Sequence, residues 1–215
     1  MKLRNTFFLT SLLVLAAVTL LFLLPNRQTQ HETVTIRSGD IIFHTSQTSQ
    51  SKAIRKATGS QYTHCGIIYE ENGQFLVFEA IQPVQLAPIN DWINRGKNGH
   101  YVVKRLKTAD KVLNQSTLLR MKEIGENFLG RDYDYAFSWS DDKLYCSELV
   151  WKVYYMATGL EVGQLERLGD FDISSDHVQQ KMTERYGDQV PLDEVVISPA
   201  SIFESELLFT VKTVD

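Results

Sequence analysis

The chain has 215 residues, 43% of them hydrophobic and 22% charged, a composition that fits one globular domain with a sizeable core. Lys and Arg number 22 against 26 acidic residues, a formal charge of −4, and no basic run is present, which argues against a nucleic-acid partner. Twelve glycines and five prolines argue against low complexity or disorder, and no internal repeat is visible.

The amino terminus departs from this pattern. Lys2 and Arg4 precede Phe7 to Leu24, eighteen residues without a charge, and Pro25 follows. Basic residues keep such a start in the cytoplasm and send the rest across the membrane, as in a secretory signal or an uncleaved anchor. At roughly 1.5 Å per residue the segment spans about 27 Å as a helix, close to the roughly 30 Å hydrocarbon core. No clear Ala-x-Ala site follows it. Residues 1–25 are therefore expected to be a signal peptide or a membrane anchor through 7–24. Residues 26–36 read as a linker, and 37–215 as one domain lying outside the cytoplasm, periplasmic or anchored facing outward.

Within that domain, Arg37 to Phe43 reads as a turn into a buried strand, and Ser49 to Thr58 as a short helix stopped by Gly59. Thr63 to Tyr69 and Phe75 to Ile81 are strands on either side of Asn72-Gly73, the strongest short hairpin signal. With those two as the loop, Glu71 faces Gln74, Ile68 faces Val77 and Gly66 faces Glu79. His64 then becomes a diagonal neighbour of Glu79 on one face, with Gly66 leaving room between them. Pro88 opens a short helix to Ile93, and Tyr101 to Leu106 is a strand. Leu118, Leu119, Ile124, Phe128 and Leu129 mark an amphipathic helix over Ser116 to Leu129. The aromatic stretch Arg131 to Asp142 is too irregular for a strand and reads as a loop anchored on the core rather than a substrate-binding element. Helices are predicted from Cys146 to Thr158, from Asp176 to Tyr186 and from Ser198 to Phe203, with a last strand over Leu207 to Val211. Strands before and after mixed helices give an α+β domain, an antiparallel sheet with helices packed on it.

Cys146, Leu149, Val150, Val153 and Ala157 share one helical face, so the thiol opens the stripe that packs on the sheet. A helix amino terminus stabilises a thiolate through its unpaired N–H groups and dipole. His64 is then a candidate base for Cys146, and Glu79 a candidate to orient the imidazole. Each residue also has a plain structural reading, Cys146 as a small buried hydrophobe and His64 as a satisfied strand histidine. An exported domain with two cysteines invites a Cys65–Cys146 disulfide. Adjacent strand residues point to opposite faces, however, so if His64 faces Cys146, Cys65 turns away. No His and Cys spacing suits zinc, so no metal and no cofactor are expected; His31, His44, His100 and His177 read as structural or exposed.

The order His, Glu, Cys with Ser38-Gly39-Asp40-Ile41-Ile42-Phe43 ahead resembles the permuted papain-like cysteine amidases related to the NlpC peptidases, specifically the YiiX group. The resemblance runs from about Ser38 to about Leu208. It rests also on Thr63-His64-Cys65-Gly66-Ile67, Val77-Phe78-Glu79-Ala80, Tyr133-Asp134-Tyr135-Ala136-Phe137-Ser138-Trp139 and Tyr145-Cys146-Ser147-Glu148-Leu149-Val150. In these families circular permutation reverses the usual order of cysteine and histidine. The resemblance implies a permuted papain-like fold with Cys146 as nucleophile, His64 as base, Glu79 as third polar residue and Tyr145 at the substrate site. It also implies cleavage of an amide, a cell-wall peptide or a lipid, since the scaffold is similar to lipid acyltransferases of the lecithin:retinol type. A lipid-directed acyltransferase or hydrolase and a catalytically silent ligand-binding module are the alternatives to a thiol amidase.

Overall fold

The strand at the centre of the sheet is β1 (Ile41–His44), whose four residues are all buried. It lies antiparallel between β2 (His64–Glu71) and β5 (Tyr101–Leu106). This computed structural model describes residues 35–215, and Val34–Asp215 form one compact unit. The expected signal or anchor at residues 1–25 lies outside the described residues.

Outward from β2 come β3 (Gln74–Ala80) and β4 (Val84–Pro88), and beyond β5 comes β8 (Leu208–Val214), giving the order β4-β3-β2-β1-β5-β8. Every pair in this sheet is antiparallel. A small second sheet pairs β6 (Glu166–Arg167) with β7 (Val195–Val196). The helices are α1 (Ser49–Thr58), α2 (Ile89–Asn94), α3 (Ala109–Val112), α4 (Gln115–Phe128), α5 (Cys146–Thr158), α6 (Asp176–Tyr186) and α7 (Pro199–Phe203). This is the expected α+β architecture. The elements absent from the sequence reading are the short ones, β4, α3, β6 and β7, whose two to five residues carry no periodic signal.

The hairpin forms in the predicted register, with Glu71 opposite Gln74 and Ile68 opposite Val77. Asn72 (φ 52°) and Gly73 (φ 77°) both have positive φ, as a type I′ turn requires, and the backbone twist of that turn matches the twist of the flanking strands. Gly66 has a different purpose from the one expected. A Cβ there would lie 2.5 Å from Val77 Cγ1 and 2.6 Å from the Phe78 carbonyl oxygen. The missing side chain therefore lets β3 close on β2; it does not clear space for the imidazole.

Alternation divides the core between the two faces of the sheet. Ile41, Phe43, Cys65, Ile67 and Phe78 share one cluster with Met121 of α4 and Leu149, Val150 and Val153 of α5. Ile42, Ile68, Val77 and Val103 cluster with Trp92 of α2 on the other. On α4 the buried face is Met121, Ile124, Gly125 and Phe128, while Leu119 and Leu129, predicted as core, are exposed. Gly125 faces the Phe78 ring so closely that a Cβ would sit 3.1 Å from it, so a side-chain-free position carries that contact and a hydrophobicity count passes over it.

Candidate active site

Cys146 opens α5 at the predicted position and is buried. The helix start is tied down locally, since Glu148 Oε2 accepts from the Tyr145 amide at 3.3 Å. Against this point comes the start of β2. His64 Nε2 lies 2.8 Å from Glu79 Oε2, which leaves Nδ1 to serve the hydrogen bond between His64 and Cys146. The diagonal relation predicted for His64 and Glu79 is thus realised, and Cys146 meets the same imidazole.

The route by which Cys146 arrives is not the predicted one. Helix α5 packs on the face of Cys65, Ile67 and Phe78, while His64 lies on the opposite face, its ring stacked 5.6 Å from that of Trp92. His64 reaches the thiol because it is the first residue of β2, where a ring can pass around the end of the strand. The expectation that Cys65 turns away is therefore corrected. Both cysteines are free, and the Cys65 side chain and backbone N–H both hydrogen-bond to Cys146.

These contacts set the charges. The Cys65 hydrogen bond, followed by the charge and hydrogen bond of His64, overcomes burial and holds the Cys146 thiol well below its usual range. Burial and the neighbouring Cys146 push the Cys65 thiol well up, so Cys65 remains a donor. Burial lowers the His64 pKa, but the Cys146 charge and hydrogen bond and then Glu79 outweigh it and raise it to about 9. Glu79 is raised by burial and lowered more by its bonds to His64, Arg95 and Gln85, reaching about 2. The directions of these shifts favour a thiolate beside an imidazolium.

His44 shows how much this depends on partners. It pairs directly with His64 across β1 and β2, the rings 5.1 Å apart, and both are buried. Burial, and then the charge of His64, push its pKa down to about 3. Its ring instead lies edge-on to Trp92 at 4.1 Å. His44, expected from the sequence to be structural or exposed, is buried and is a direct neighbour of the site.

Three residues missed in the sequence, Gln85, Arg95 and Tyr133, complete the surroundings. Gln85 Nε2 donates to Glu79 Oε1 at 2.9 Å, and Arg95, just past α2, donates to the same oxygen. Gln85 stands opposite Glu79 in the β3–β4 ladder, so recognising β4 would have found it; Arg95 has no local signal. Tyr133 belongs to the aromatic stretch. Leu144 donates to the Asp132 carbonyl and accepts from the Asp134 amide, both at 3.1 Å, which fixes Tyr133 two residues' reach from Cys146. Its Oη accepts from Gln50 Nε2 at 2.7 Å, so its own proton is free to donate elsewhere. The charge of Cys146 reaches Tyr133, and with burial holds its phenol well above the usual pKa. Tyr145 lines the cleft above Cys146, but its hydroxyl accepts from the Ile197 amide at 3.1 Å and serves the wall.

That cleft holds about 710 Å³ of empty space when the open solvent at its mouth is included. Its lining is almost wholly apolar, drawn from Ile54 and Ala57 of α1, Val178 and Met182 of α6, and Tyr133 and Phe137 of the aromatic stretch. The stretch thus anchors on the core, as expected, and also lines the cleft, which was the less favoured reading.

Comparison with known proteins adds to this picture. Residues 35–212 match the family described as permuted papain-like amidase enzyme, YaeF/YiiX, C92 family. The chain is 46% identical over 175 residues to the uncharacterized protein YiiX of Escherichia coli K12, covering 81% of this chain and 85% of that one. A crystal structure of a protein titled metalloprotein YiiX from Escherichia coli O157:H7 superposes with a TM-score of 0.79 at 44% identity, covering 83% of this chain and 97% of the other. Among the described residues no group of three or more His, Cys, Asp or Glu side chains could hold a metal ion. Fold, reversed order of the polar residues and sequence likeness agree: the chain belongs to the permuted papain-like amidases of the YaeF/YiiX family and is a hydrolase of that kind.

Proposed function

We propose that this protein is an exported thiol hydrolase that cleaves an amide bond through an acyl-enzyme on Cys146, and that the acyl group it accepts is apolar. The observation that carries the reading is the buried chain Cys146, His64, Glu79 at one wall of an apolar cleft. The thiolate attacks the amide carbonyl, and the oxyanion that forms accepts from the Cys146 N–H at the helix start and from the Tyr133 hydroxyl. The His64 imidazolium gives its proton to the departing amine, leaving a thioester. Water then loses a proton to His64, attacks the thioester and releases the carboxylic acid and the thiolate. Glu79 holds the imidazole in place throughout and does not itself take the proton.

Of the two substrate classes implied by family resemblance, the lining of the cleft favours a lipid amide over a polar cell-wall peptide. Such a lining stabilises a bound alkyl chain by about 0.8 kcal/mol for each methylene removed from water. Export rests on the basic and then apolar start of the sequence.

The test is hydrolysis of N-dodecanoyl amides by the full chain and by Cys146→Ala. Wild type should accumulate a dodecanoyl adduct on Cys146, and Cys146→Ala should lose activity by about 1,000-fold or more. Undiminished hydrolysis in Cys146→Ala would end the nucleophile assignment. A silent binding module would instead leave the thiol alkylating with a midpoint near the free-cysteine pKa of about 8.5.

A further inference from the structure

We propose that Arg185 forms an anion subsite at the mouth of the cleft, so that the amide cleaved carries a carboxylate or phosphate on its amine side. This deepens the hydrolase reading and rests on it. Two cations line the otherwise apolar cleft, Lys181 and Arg185, one turn apart on α6. They share the face of Val178 and Met182, since positions 178, 181, 182 and 185 fall on one helical stripe. Lys181 is already engaged: its Nζ pairs with Glu184, which also accepts from Gln180 at 2.9 Å. Arg185 makes no hydrogen bond or ion pair with a protein group among the described residues.

Its guanidinium is nonetheless held. Arg185 Cζ lies 4.6 Å from the centroid of the Phe137 ring, a cation–π contact, and that ring stands edge-on 5.0 Å from Tyr145, the neighbour of Cys146. Phe137 is fixed by more than packing. It has φ 52°, a conformation costly for an aromatic residue, and its neighbours pin it there. Asp134 accepts from the amides of Ala136 at 2.7 Å and Ser138 at 2.6 Å, and Tyr186 Oη donates to the Ala136 carbonyl at 2.6 Å. Glu194 accepts from the Trp139 amide at 2.7 Å. Asp134 and Glu194 therefore serve the backbone of this loop, Glu184 takes Lys181, and none of the three bonds the fork of Arg185. A guanidinium presented this way suits a planar carboxylate or a phosphate, through two parallel N–H donors.

The side of the scissile bond follows from the lining. An alkyl acyl chain fills the apolar interior, and a charge on that chain would be desolvated without a partner. Arg185 is only half-buried, at the mouth, where the amine portion remains. The substrate class is thus an N-acyl amine with a negative charge a few bonds from the nitrogen, such as an N-acyl amino acid.

The experiment compares kcat/KM of the full chain on N-dodecanoylglycine, N-dodecanoyl-2-aminoethyl phosphate and neutral N-dodecanoylglycinamide, for wild type, Arg185→Met and Arg185→Lys. It also compares Cys146 alkylation by iodoacetate and by iodoacetamide, followed by mass spectrometry, which needs no turnover. Wild type should prefer the anionic amides by roughly 10-fold or more, the worth of one charge-assisted pair, and the two anionic amides tell carboxylate from phosphate. Arg185→Met should reduce that preference to about 2-fold or less and lower the iodoacetate to iodoacetamide rate ratio; Arg185→Lys should restore part of both. A purely structural role for Arg185 would slow all substrates alike and leave both ratios at wild-type values, which overturns the subsite. If the alkylation ratio falls while no amide is cleaved, the subsite stands and the hydrolase reading fails. If amides are cleaved without preference and neither ratio responds to Arg185→Met, the hydrolase reading stands and the subsite fails.

Discussion

The two walls around Cys146 are built by opposite rules. On the sheet side, charge is stored and every feature holds it: Glu79 is fully buried, one oxygen on His64 and the other on Gln85 and Arg95. On the cleft side, α1, α6 and the aromatic stretch present apolar surface; Tyr145 turns its hydroxyl to the wall, Tyr133 is held by Gln50, and the Arg185 guanidinium rests over the Phe137 ring. The first wall excludes water from an ion pair that needs low dielectric to set its pKa values. The second presents apolar area and, in the proposed mechanism, one hydroxyl to the developing oxyanion. The thiol stands on the boundary between them.

The sharpest way to break this division is Tyr133→Phe, which removes the oxyanion donor proposed for the cleft wall. Loss of an oxyanion donor should lower kcat by about 100-fold with KM little changed, because the hydroxyl acts on the transition state. Steady-state kinetics on an N-dodecanoyl amide checks it, and an equal rise in KM would place Tyr133 in ground-state binding instead. Next in size is Gly66→Ala on the sheet wall. The added Cβ meets the Phe78 carbonyl at 2.6 Å, so β3 must shift and the domain should lose about 1–3 kcal/mol, read by denaturant titration. Unchanged stability would mean that the hairpin is looser at this point than the close approach implies.

The same division explains what the sequence made legible. The sheet wall is local: Asn72-Gly73 sets the register, the register sets His64 against Glu79, and the apolar stripe of α5 puts Cys146 at a helix start. Each step spans a few residues, and each came out as predicted. The sidedness of the cysteines did not, because alternation along β2 holds within a strand and His64 is its first residue, free to reach around the end. The cleft wall is assembled from segments far apart in sequence, with Gln50 meeting Tyr133 across 83 positions and Phe137 of the aromatic stretch meeting Arg185 near the end of α6. No periodicity encodes such meetings. The aromatic stretch was read as core packing for a sound reason, since it does pack on the core, but its half-buried rings also face the cleft.

A smaller and more pointed effect is expected from Glu79→Gln. The carboxylate raises the His64 pKa, so its neutral replacement should lower that pKa from about 9 and bring the alkaline limb of the kcat/KM profile down in pH. The fall in kcat/KM at neutral pH should be only about 10-fold, because an amide can still orient the ring. An alkaline limb unmoved by Glu79→Gln would assign that limb to another group and separate Glu79 from the imidazole.

The least effect on turnover, and the closest test of the boundary, belongs to Cys65→Ala. Cys65, together with His64, lowers the Cys146 pKa, yet it stands on the apolar core face and takes no proton in the proposed cycle. Removing its thiol leaves its backbone N–H and His64 to hold the thiolate. The pKa of Cys146 should therefore rise, so that the acid limb of kcat/KM and the midpoint of Cys146 alkylation both move to higher pH. The plateau above them should change by less than about 3-fold, since no transition-state contact is lost. Valine, which fills the space without donating, should give the same shift, whereas serine, which donates, should reverse part of it. If alanine and serine behave alike, packing rather than the hydrogen bond is what Cys65 contributes. The depression of the thiol pKa would then rest on His64 and the helix start alone.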